Sequence, residues 1–400
     1  MPSFPPFSLS RLLLLGVIGL AATACKKDKT DPQPVGGGGS SDKTVVITID
    51  RISANTTWEN VEPDSTKYDY VVKTSLQVDA GVLTIKPGVR INFDNGDAGL
   101  YTTSTGGLSA IGTAAQKIVF ESALRAPGAW AAININSNSV ANVLDHCRVL
   151  YAGSKDYRTL FKPGKFGVIV EGKARVRNTL VGNTEGSGFM LDWEADVTEF
   201  AGNSVRSCPE YGLVTAFLHL DRVSATNKFS GAGKPAIQIY DERGTADNSI
   251  LVRKYDVPLE VATFISLRNS TSVVFEPGVT ARFALDTGIG VDAGTFNAQG
   301  TTSQPITFQG LATGAGSWAG IEIKSNGANR IDNCIIDGGG GADLYLFRRG
   351  NILVSDASRL TISNSTVRNS AAWGIHKVST GTLTATAVTY SNNADGNVGP

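Results

Sequence analysis

The stretch LTIKPGVRINF, from Leu83 to Phe93, decides the fold because it returns later in the chain as VVFEPGVTARF, from Val273 to Phe283. The similarity continues downstream of both copies. The further matching segments are Ala110–Phe120 with Ala298–Phe308, Gly128–Ile133 with Gly316–Ile321, and Leu144–Cys147 with Ile331–Cys334. A long segment that occurs twice identifies a duplication and a repeat protein.

A shorter period lies inside each copy. Gly188-Phe189, Gly212-Leu213 and Ala236-Ile237 recur at intervals of about 24 residues, which is typical of repeat architectures. We call these recurring positions the glycine marks. Apolar residues alternate with polar ones in stretches that contain Asn, such as Leu360–Val367, and these stretches lie between the glycine marks. Units of this length with short strands and no helix predict a β-solenoid, in which each coil buries its inward side chains on the next. We expect about fourteen coils, stacked about 4.8 Å apart in parallel register.

The composition agrees with a β-rich repeat protein and argues against a nucleic-acid partner. Basic and acidic residues both number 36, so no strong electrostatic attraction to nucleic acid is expected. Glycine is abundant, with 45 residues, methionine is scarce, with 2, and no segment keeps a sustained helical period.

The N-terminus matches a signal peptide. Arg11 precedes the apolar run Leu12–Ala22, which is shorter than the about 20 residues that a membrane-spanning helix needs. The tetrapeptide ending at Cys25 resembles the lipobox of bacterial lipoproteins, and this resemblance implies cleavage before Cys25 and acylation of its thiol. The alternative is an ordinary cysteine in a conventional signal peptide. By the same resemblance, Lys26 implies passage to the outer membrane or the cell surface, in a leaflet that the sequence leaves open.

The repeated motifs together resemble right-handed parallel β-helix proteins of the pectin-lyase-like superfamily and, more narrowly, surface lipoproteins of Bacteroidetes-type bacteria. The lead-in from Leu83, the Gly-x-Trp-x-x-Ile turn and the Asn-Ser-x-Val-x-Asn coils carry the resemblance, which covers residues 68–395. It implies an all-β, right-handed parallel β-helix built from two duplicated halves. It implies no single activity, because this scaffold carries lyases, hydrolases, adhesins and spacers alike.

These observations divide the chain into five segments. We predict a lipoprotein signal peptide at 1–24, a flexible linker at 25–44, an N-terminal lead-in or cap at 45–80, a first β-helix half at 81–254 and a second half at 255–400. The linker contains charge, proline and a Gly-Ser run, and such a segment cannot bury a core.

The cysteines of the body, Cys147, Cys208 and Cys334, are predicted to be reduced, buried and apolar in role. In a solenoid, Cys147 and Cys334 stand about eight coils apart. Cys208 lies on the order of 10 Å from Cys147, beyond the roughly 7 Å limit for the Cα atoms of a disulfide. No Cys or His spacing indicates a metal site.

Both halves insert a longer loop at the same point of the repeat, at 153–166 and at 338–350. Aromatic rings can cover sugar C–H faces, and guanidinium groups can pair with carboxylates of acidic glycans, so these loops are candidates for ligand binding. Alternatively, their aromatic side chains fold back on the flank of the solenoid. The candidates are Tyr157, Arg158, Phe161 and Lys162 in the first loop, and Tyr345, Phe347, Arg348 and Arg349 in the second.

One patch has the ionisable groups that catalysis would need. A residue's position within its coil can be counted from the nearest glycine mark. By this count Glu194 and Glu242 occupy the same position two coils apart, and His219 and Arg243 occupy the next position along the coil. Two coils span about 10 Å, near the carboxylate spacing of inverting glycosidases. By resemblance to pectate lyases, calcium would be a cofactor under this alternative only. The competing interpretation is that these residues belong to solvated turns.

Trp130 and Trp318 hold equivalent turns, which favours packing over sugar stacking. The leading hypothesis is a monomeric, non-catalytic surface lipoprotein that contacts the membrane through its lipid and binds extracellular polysaccharide, without a cofactor or nucleic acid. A lyase or glycoside hydrolase acting on acidic glycans, or a structural spacer, are the alternatives.

Overall fold

A computed structural model describes residues 43–158, 163–241, 249–344 and 348–400, with the backbone only at Arg158. Gly38–Pro400 forms one compact unit, whose described part consists of short strands and a single 3₁₀ helix, Phe217–Asp221.

The strands of the first half, taken in the structure from Val45 to Asp241 with the lead-in included, follow in chain order. They are β1 Val45–Ile47, β2 Arg51–Ile52, β3 Thr56–Trp58, β4 Tyr70–Val72, β5 Ser75–Val78, β6 Val82–Ile85, β7 Arg90–Phe93, β8 Gly99–Thr102, β9 Gly107–Ile111, β10 Ile118–Glu121, β11 Ile133–Ile135, β12 Val143–Asp145, β13 Cys147–Leu150, β14 Tyr157–Arg158, β15 Pro163–Gly164, β16 Phe166–Val170, β17 Lys173–Arg177, β18 Leu180–Gly182, β19 Ser187–Leu191, β20 Asp196–Ala201, β21 Ser204–Arg206, β22 Cys208–Ala216 and β23 Ala232–Asp241.

The strands of the second half complete the fold. They are β24 Ser249–Val252, β25 Leu259–Val261, β26 Ile265–Leu267, β27 Ser272–Phe275, β28 Thr280–Phe283, β29 Gly288–Val291, β30 Thr295–Gln299, β31 Ile306–Gly310, β32 Gly320–Ile323, β33 Asn329–Asp332, β34 Cys334–Asp337, β35 Gly350–Val354, β36 Arg359–Ser363, β37 Thr366–Arg368, β38 Trp373–Lys377, β39 Thr382–Thr386, β40 Thr389–Ser391 and β41 Gly396–Gly399.

The strands stack into long parallel sheets, which confirms the prediction of an all-β parallel β-helix. The first half has a seven-stranded sheet, β1-β4-β7-β10-β13-β18-β21, and a six-stranded sheet, β3-β6-β9-β12-β17-β20. The second half has two six-stranded sheets, β24-β27-β30-β33-β36-β39 and β26-β29-β32-β35-β38-β41. The 14-stranded sheet that we call the shared sheet runs through both halves, as β2-β5-β8-β11-β16-β19-β22-β23-β25-β28-β31-β34-β37-β40.

The two copies of the duplicated sequence do not use the same sheets: each strand of the second copy lies one sheet further around the β-helix than its counterpart in the first copy. Strand β7 and its duplicate β28 carry matching sequences, yet β7 lies in the seven-stranded sheet and β28 in the shared sheet. In the first half, the shared sheet is formed by the strands that follow β7-type strands, such as β8. We call the segment between β22 and β25, where this change occurs, the junction.

The interior follows from alternation along each strand. In β6, Leu83 and Ile85 are buried while Val82 and Thr84 are half-buried, as expected when successive side chains point to opposite faces. The inward side chains of neighbouring coils join into one continuous apolar core. Trp130 stacks on Phe93 in this core, with ring centroids 4.0 Å apart.

The corners of the coils explain the repeated asparagines. Asn178 and Asn364 occupy equivalent corners with φ of 48°, a left-handed conformation that Asn tolerates better than most residues. The side-chain amide of Asn178 donates to Asp145 Oδ1 over 2.9 Å, and that of Asn364 donates to Asp332 Oδ1 over the same distance. These bonds link successive coils at the same place in both halves.

The glycine marks are places where coils approach closely. A Cβ atom on Gly188 would lie 2.7 Å from the carbonyl oxygen of Gly212, and one on Gly320 would lie 2.4 Å from that of Gly350. A glycine or, as at Ala236, another small residue therefore occupies these positions, because a larger residue would separate the backbones.

The two ends of the described body differ. The lead-in at 45–80 forms strands β1 to β5, which pair in register with the following coils, and Trp58 is buried against Tyr70 with ring centroids 4.4 Å apart. At the other end, the side chains of β39 are mostly exposed.

Candidate functional site

One column of side chains runs along the outer face of the whole shared sheet. Consecutive members are direct partners in neighbouring strands, so they stand about one coil spacing, 4.8 Å, apart. We call this column the outward ladder. Its members are Arg51, Gln77, Tyr101, Asn134, Ile169, Met190, Val214, Gln238, Glu260, Arg282, Gln309, Asp337, Arg368 and Ser391.

The middle of the ladder is apolar. Met190 points away from the interior, because its neighbours Phe189 and Leu191 belong to the main core whereas Met190 belongs to a separate cluster. Met190 and Val214 are nevertheless fully buried. We call this group the outer cluster, and its members are Ala132, Phe166, Ile169, Met190, Tyr211, Val214, Ala236 and Tyr240, with Tyr157 packed against them.

The first inserted loop reaches the outer cluster. Tyr157 is half-buried and meets Phe166 edge to face, with ring centroids 6.4 Å apart. Strands β14 and β15 form an antiparallel hairpin here, in which Arg158 pairs with Pro163. Tyr157 thus packs on the flank of the solenoid, while the predicted ligand residues Phe161 and Lys162 lie outside the described residues.

The second inserted loop pairs its arginines with nearby carboxylates. Arg348 Nη1 lies 3.9 Å from Asp356 Oδ2, and Arg349 Nε lies 3.6 Å from Asp343 Oδ1. Both side chains remain partly exposed, so these contacts reduce their pull on an acidic ligand without cancelling it. Tyr345 and Phe347 lie outside the described residues.

Carboxylates collect at one edge of the shared sheet, directly after β16 and β19. Burial raises the pKa of Glu171, and the nearby charges of Asp192 and Glu194 raise it further, whereas hydrogen bonds from Asn134 and Asn136 lower it. Asp192 is itself buried and accepts a hydrogen bond from the Tyr240 hydroxyl over 3.3 Å.

His219, a catalytic candidate of the enzyme alternative, is a buried residue of the 3₁₀ helix. Its Nε2 lies 2.6 Å from the backbone carbonyl oxygen of Asp192, and burial lowers its pKa. The ring therefore ties the 3₁₀ helix to the preceding coil. Glu194 is exposed, and Glu242 and Arg243 lie outside the described residues, so their predicted alignment with Glu194 and His219 stays a prediction.

A polar cavity of about 290 Å³ lies beside His219. Two carboxylates line it, but each has a basic partner: Asp196 Oδ2 lies 2.7 Å from Lys173 Nζ, and Asp221 Oδ2 lies 3.2 Å from Arg222 Nε. Throughout the described ranges, no group of three or more His, Cys, Asp and Glu side chains could hold a metal ion.

A larger and more open groove of about 630 Å³ lies near β22. Glu185 and Arg206 line it together with Pro127 and Pro209. Lys165 Nζ contacts Glu185 Oε1 over 2.5 Å, so the carboxylate is already paired.

The C-terminal part of the outward ladder is polar and partly exposed. From Glu260 to Ser391, each coil presents a carboxylate, guanidinium, amide or hydroxyl group. Within it, Arg368 Nε donates to Asp337 Oδ2 over 2.8 Å. A second outward column stands beside it and consists of Thr280, Thr307, Ile335, Thr366 and Thr389.

The sequence interpretation missed this polar surface. Its members occur once per coil, but the coil length varies between neighbours, so no fixed spacing marks them. These residues can be aligned only when the register between neighbouring strands is known, as between β25 and β28 and between β28 and β31.

The remaining predicted features have simple environments. Cys147, Cys208 and Cys334 are free and buried, as predicted, whereas the lipidation candidate Cys25 lies outside the described residues. Trp130 and Trp318 are completely buried, which confirms their predicted packing role. In the described part of the chain, no helix has the length and apolarity to cross a membrane.

Comparison with known proteins identifies no relative: no family model matches the chain, and neither a curated protein nor a solved structure matches it significantly.

Proposed function

We propose that the protein is a non-catalytic, lipid-anchored surface protein of the pectin-lyase-like β-helix type, as in Bacteroidetes-type bacteria, and that it binds extracellular polysaccharide. The observation that carries the proposal is the outward ladder with its neighbouring threonine column. Together they repeat hydrogen-bonding groups once per coil along the second half of the shared sheet.

A polymer of sugars suits such a surface. Each sugar offers hydroxyl groups that donate and accept, and the ladder offers donors at Arg282 and Gln309 and acceptors at Glu260. Polar groups recur along the ladder at intervals of about 4.8 Å. Many weak contacts can therefore form in succession along one polysaccharide chain, and together they bind it more tightly than any single contact would.

Binding is favoured over catalysis by the state of the ionisable groups. His219 is buried and its Nε2 is used by the Asp192 carbonyl. Glu194, its proposed partner, is an exposed turn residue. A general acid or base must reach the proton that it transfers, and the buried His219 ring is held against the preceding coil.

The anchor completes the proposal. Acylated Cys25, followed by the linker at 25–44, would hold the body near an outer membrane while leaving its flank free to meet polymers. Acylation of this one thiol is thus proposed to hold the polysaccharide-binding surface at the cell surface, where many weak contacts can form together.

Glycan-array binding by the purified protein tests the proposal. The variant Arg282→Ala/Gln309→Ala/Arg368→Ala should lose about tenfold or more in affinity, because it removes three of the four ladder contacts between Arg282 and Arg368 and retains only Asp337. The matched control Arg330→Ala/Thr361→Ala/Thr384→Ala changes an equivalent outward column of another sheet and should bind normally.

The loops are tested separately. Alanine at Arg158, Phe161, Phe347 and Arg348 should reduce binding only if the inserted loops contribute contacts. Absence of binding to any polysaccharide by the unmodified protein would refute the proposed function.

A further inference from the structure

We propose, resting on the proposed polysaccharide function, that Gln238, Glu260 and Arg282 form a subsite beside the junction for a neutral, hydroxyl-rich sugar unit. These three residues are consecutive members of the outward ladder, on β23, β25 and β28. They lie where the apolar middle of the ladder gives way to its polar half.

Two buried atoms of this group have no protein partner. Gln238 is 9% exposed, and its Oε1 atom is buried without a hydrogen bond; Arg282 Nε is also buried and unpaired. Leaving buried polar atoms unpaired costs free energy, so such atoms require an explanation, and an unfilled ligand position is one.

Glu260 lies between them and fixes the acceptor side of the subsite. One of its oxygens, Oε2, accepts a hydrogen bond from the Tyr211 hydroxyl over 3.0 Å. This bond orients the carboxylate and leaves the second oxygen as an acceptor. Glu260 and Arg282 are half-buried, so they form the accessible rim, and Gln238 forms the inner wall.

The three groups together select for hydroxyls. Gln238 Oε1 and the Glu260 carboxylate need a donor, whereas Arg282 Nε needs an acceptor. A hydroxyl supplies both roles, so the hydroxyl groups of a bound sugar suit all three residues. A uronate carboxylate has no proton to donate to Gln238 Oε1, and the like charge of Glu260 offsets its attraction to Arg282, so a neutral sugar is favoured over an acidic one.

The test measures binding of the full chain, purified in detergent, to neutral and acidic polysaccharides by calorimetry. Neutral glucans, mannans and xylans are compared with polygalacturonate and alginate. We expect tighter binding to at least one neutral polymer, and a loss of about tenfold in that affinity for Gln238→Met and for Arg282→Met. Gln77→Met, at a half-buried position of the same ladder in the first half, is the matched control and should bind normally.

A thermal melt separates binding from structure. Methionine retains the size of Gln238 and removes the unpaired acceptor, so Gln238→Met should melt at or above the temperature of the unmodified protein while binding less. A lower melting temperature with unchanged affinity would make Gln238 a structural residue and overturn the subsite.

The other outcomes are distinct. Preference for uronate polymers, or normal neutral-sugar binding by both methionine variants, would overturn the subsite and leave the polysaccharide function standing. Absence of binding to every polymer would overturn both proposals.

Discussion

The two halves of the β-helix share an interior and differ on the outside. Trp130 in the first half stacks on Phe93 and donates its indole proton to the Leu150 carbonyl over 2.7 Å. Trp318 in the second half stacks on Phe283 and donates to the Asp337 carbonyl over 2.8 Å. The duplicated core therefore keeps its contacts as well as its residue types.

The outer faces of the duplicated strands diverge. Where β19 presents the buried Met190, the duplicate β38 presents the half-buried His376. Inward side chains must fit the coils above and below, and close packing penalises any change of volume. Outward side chains meet solvent or a loop, so they can change chemistry between copies. Differences between the halves thus mark where function can be added to the scaffold.

The largest expected effect tests whether the two interiors are equal. Trp130→Ala and Trp318→Ala should each destabilise the protein by about 3–5 kcal/mol, because each leaves a cavity in the core. Denaturant unfolding measures both, and Leu124→Ala, at a residue that is 70% exposed, is the control. A much smaller cost for one tryptophan would show that the halves differ inside as well as outside.

The second prediction contrasts the outer faces. Met190→Ala should cost about 2–4 kcal/mol, because Met190 is buried in the outer cluster. The equivalent change His376→Ala should cost about 1 kcal/mol or less, since that side chain is half-buried. Equal costs in denaturant unfolding would show that Met190 and His376 are packed alike.

The third prediction concerns the duplicated thiols. Burial raises the pKa of Cys147 and raises that of Cys334 to about 12, so both thiols should resist an alkylating reagent at pH 8. We expect labelling at least about 100-fold slower than in denatured protein, with similar rates at both positions, measured by mass spectrometry. Fast labelling of one thiol alone would reveal a half that opens by itself.

The smallest expected effect is a pH dependence of the folding stability, to which His219 in the first half should contribute more than His376 in the second half. Burial lowers the pKa of His219 and of His376, so the folded chain resists protonation more than the unfolded chain does. Stability should therefore fall as pH drops from 7 through about 6.5 toward the lowered folded-state values.

Glutamine variants assign that pH dependence. His219→Gln should flatten it more than His376→Gln, since His219 is the more deeply buried ring. Denaturation midpoints at pH 7 and pH 5.5 provide the measurement. Unchanged slopes in both variants would exclude these two residues as its source.

The repeat allowed the fold to be predicted, but not the surface. The glycine marks and the duplicated Trp turns report close coil contacts that any parallel β-helix needs, so local motifs suffice to recognise them. The burial of Met190 depends on Phe166 and Tyr211 from other coils, and no local pattern reports such contacts. Counting from a glycine mark also loses accuracy near the junction, because the register between β22 and β23 shifts at bulges.

The rotation of the duplication affects how the body should unfold. Within each half, three sheets hold successive coils together, whereas in the described residues only the shared sheet continues across the junction, and its register shifts there at bulges. In a linear array, stability is the sum of terms between nearest neighbours, and the junction is expected to have the weakest term. Cooperative unfolding that begins in one half should therefore pause at the junction, which gives a repeat protein an internal boundary between two folding units.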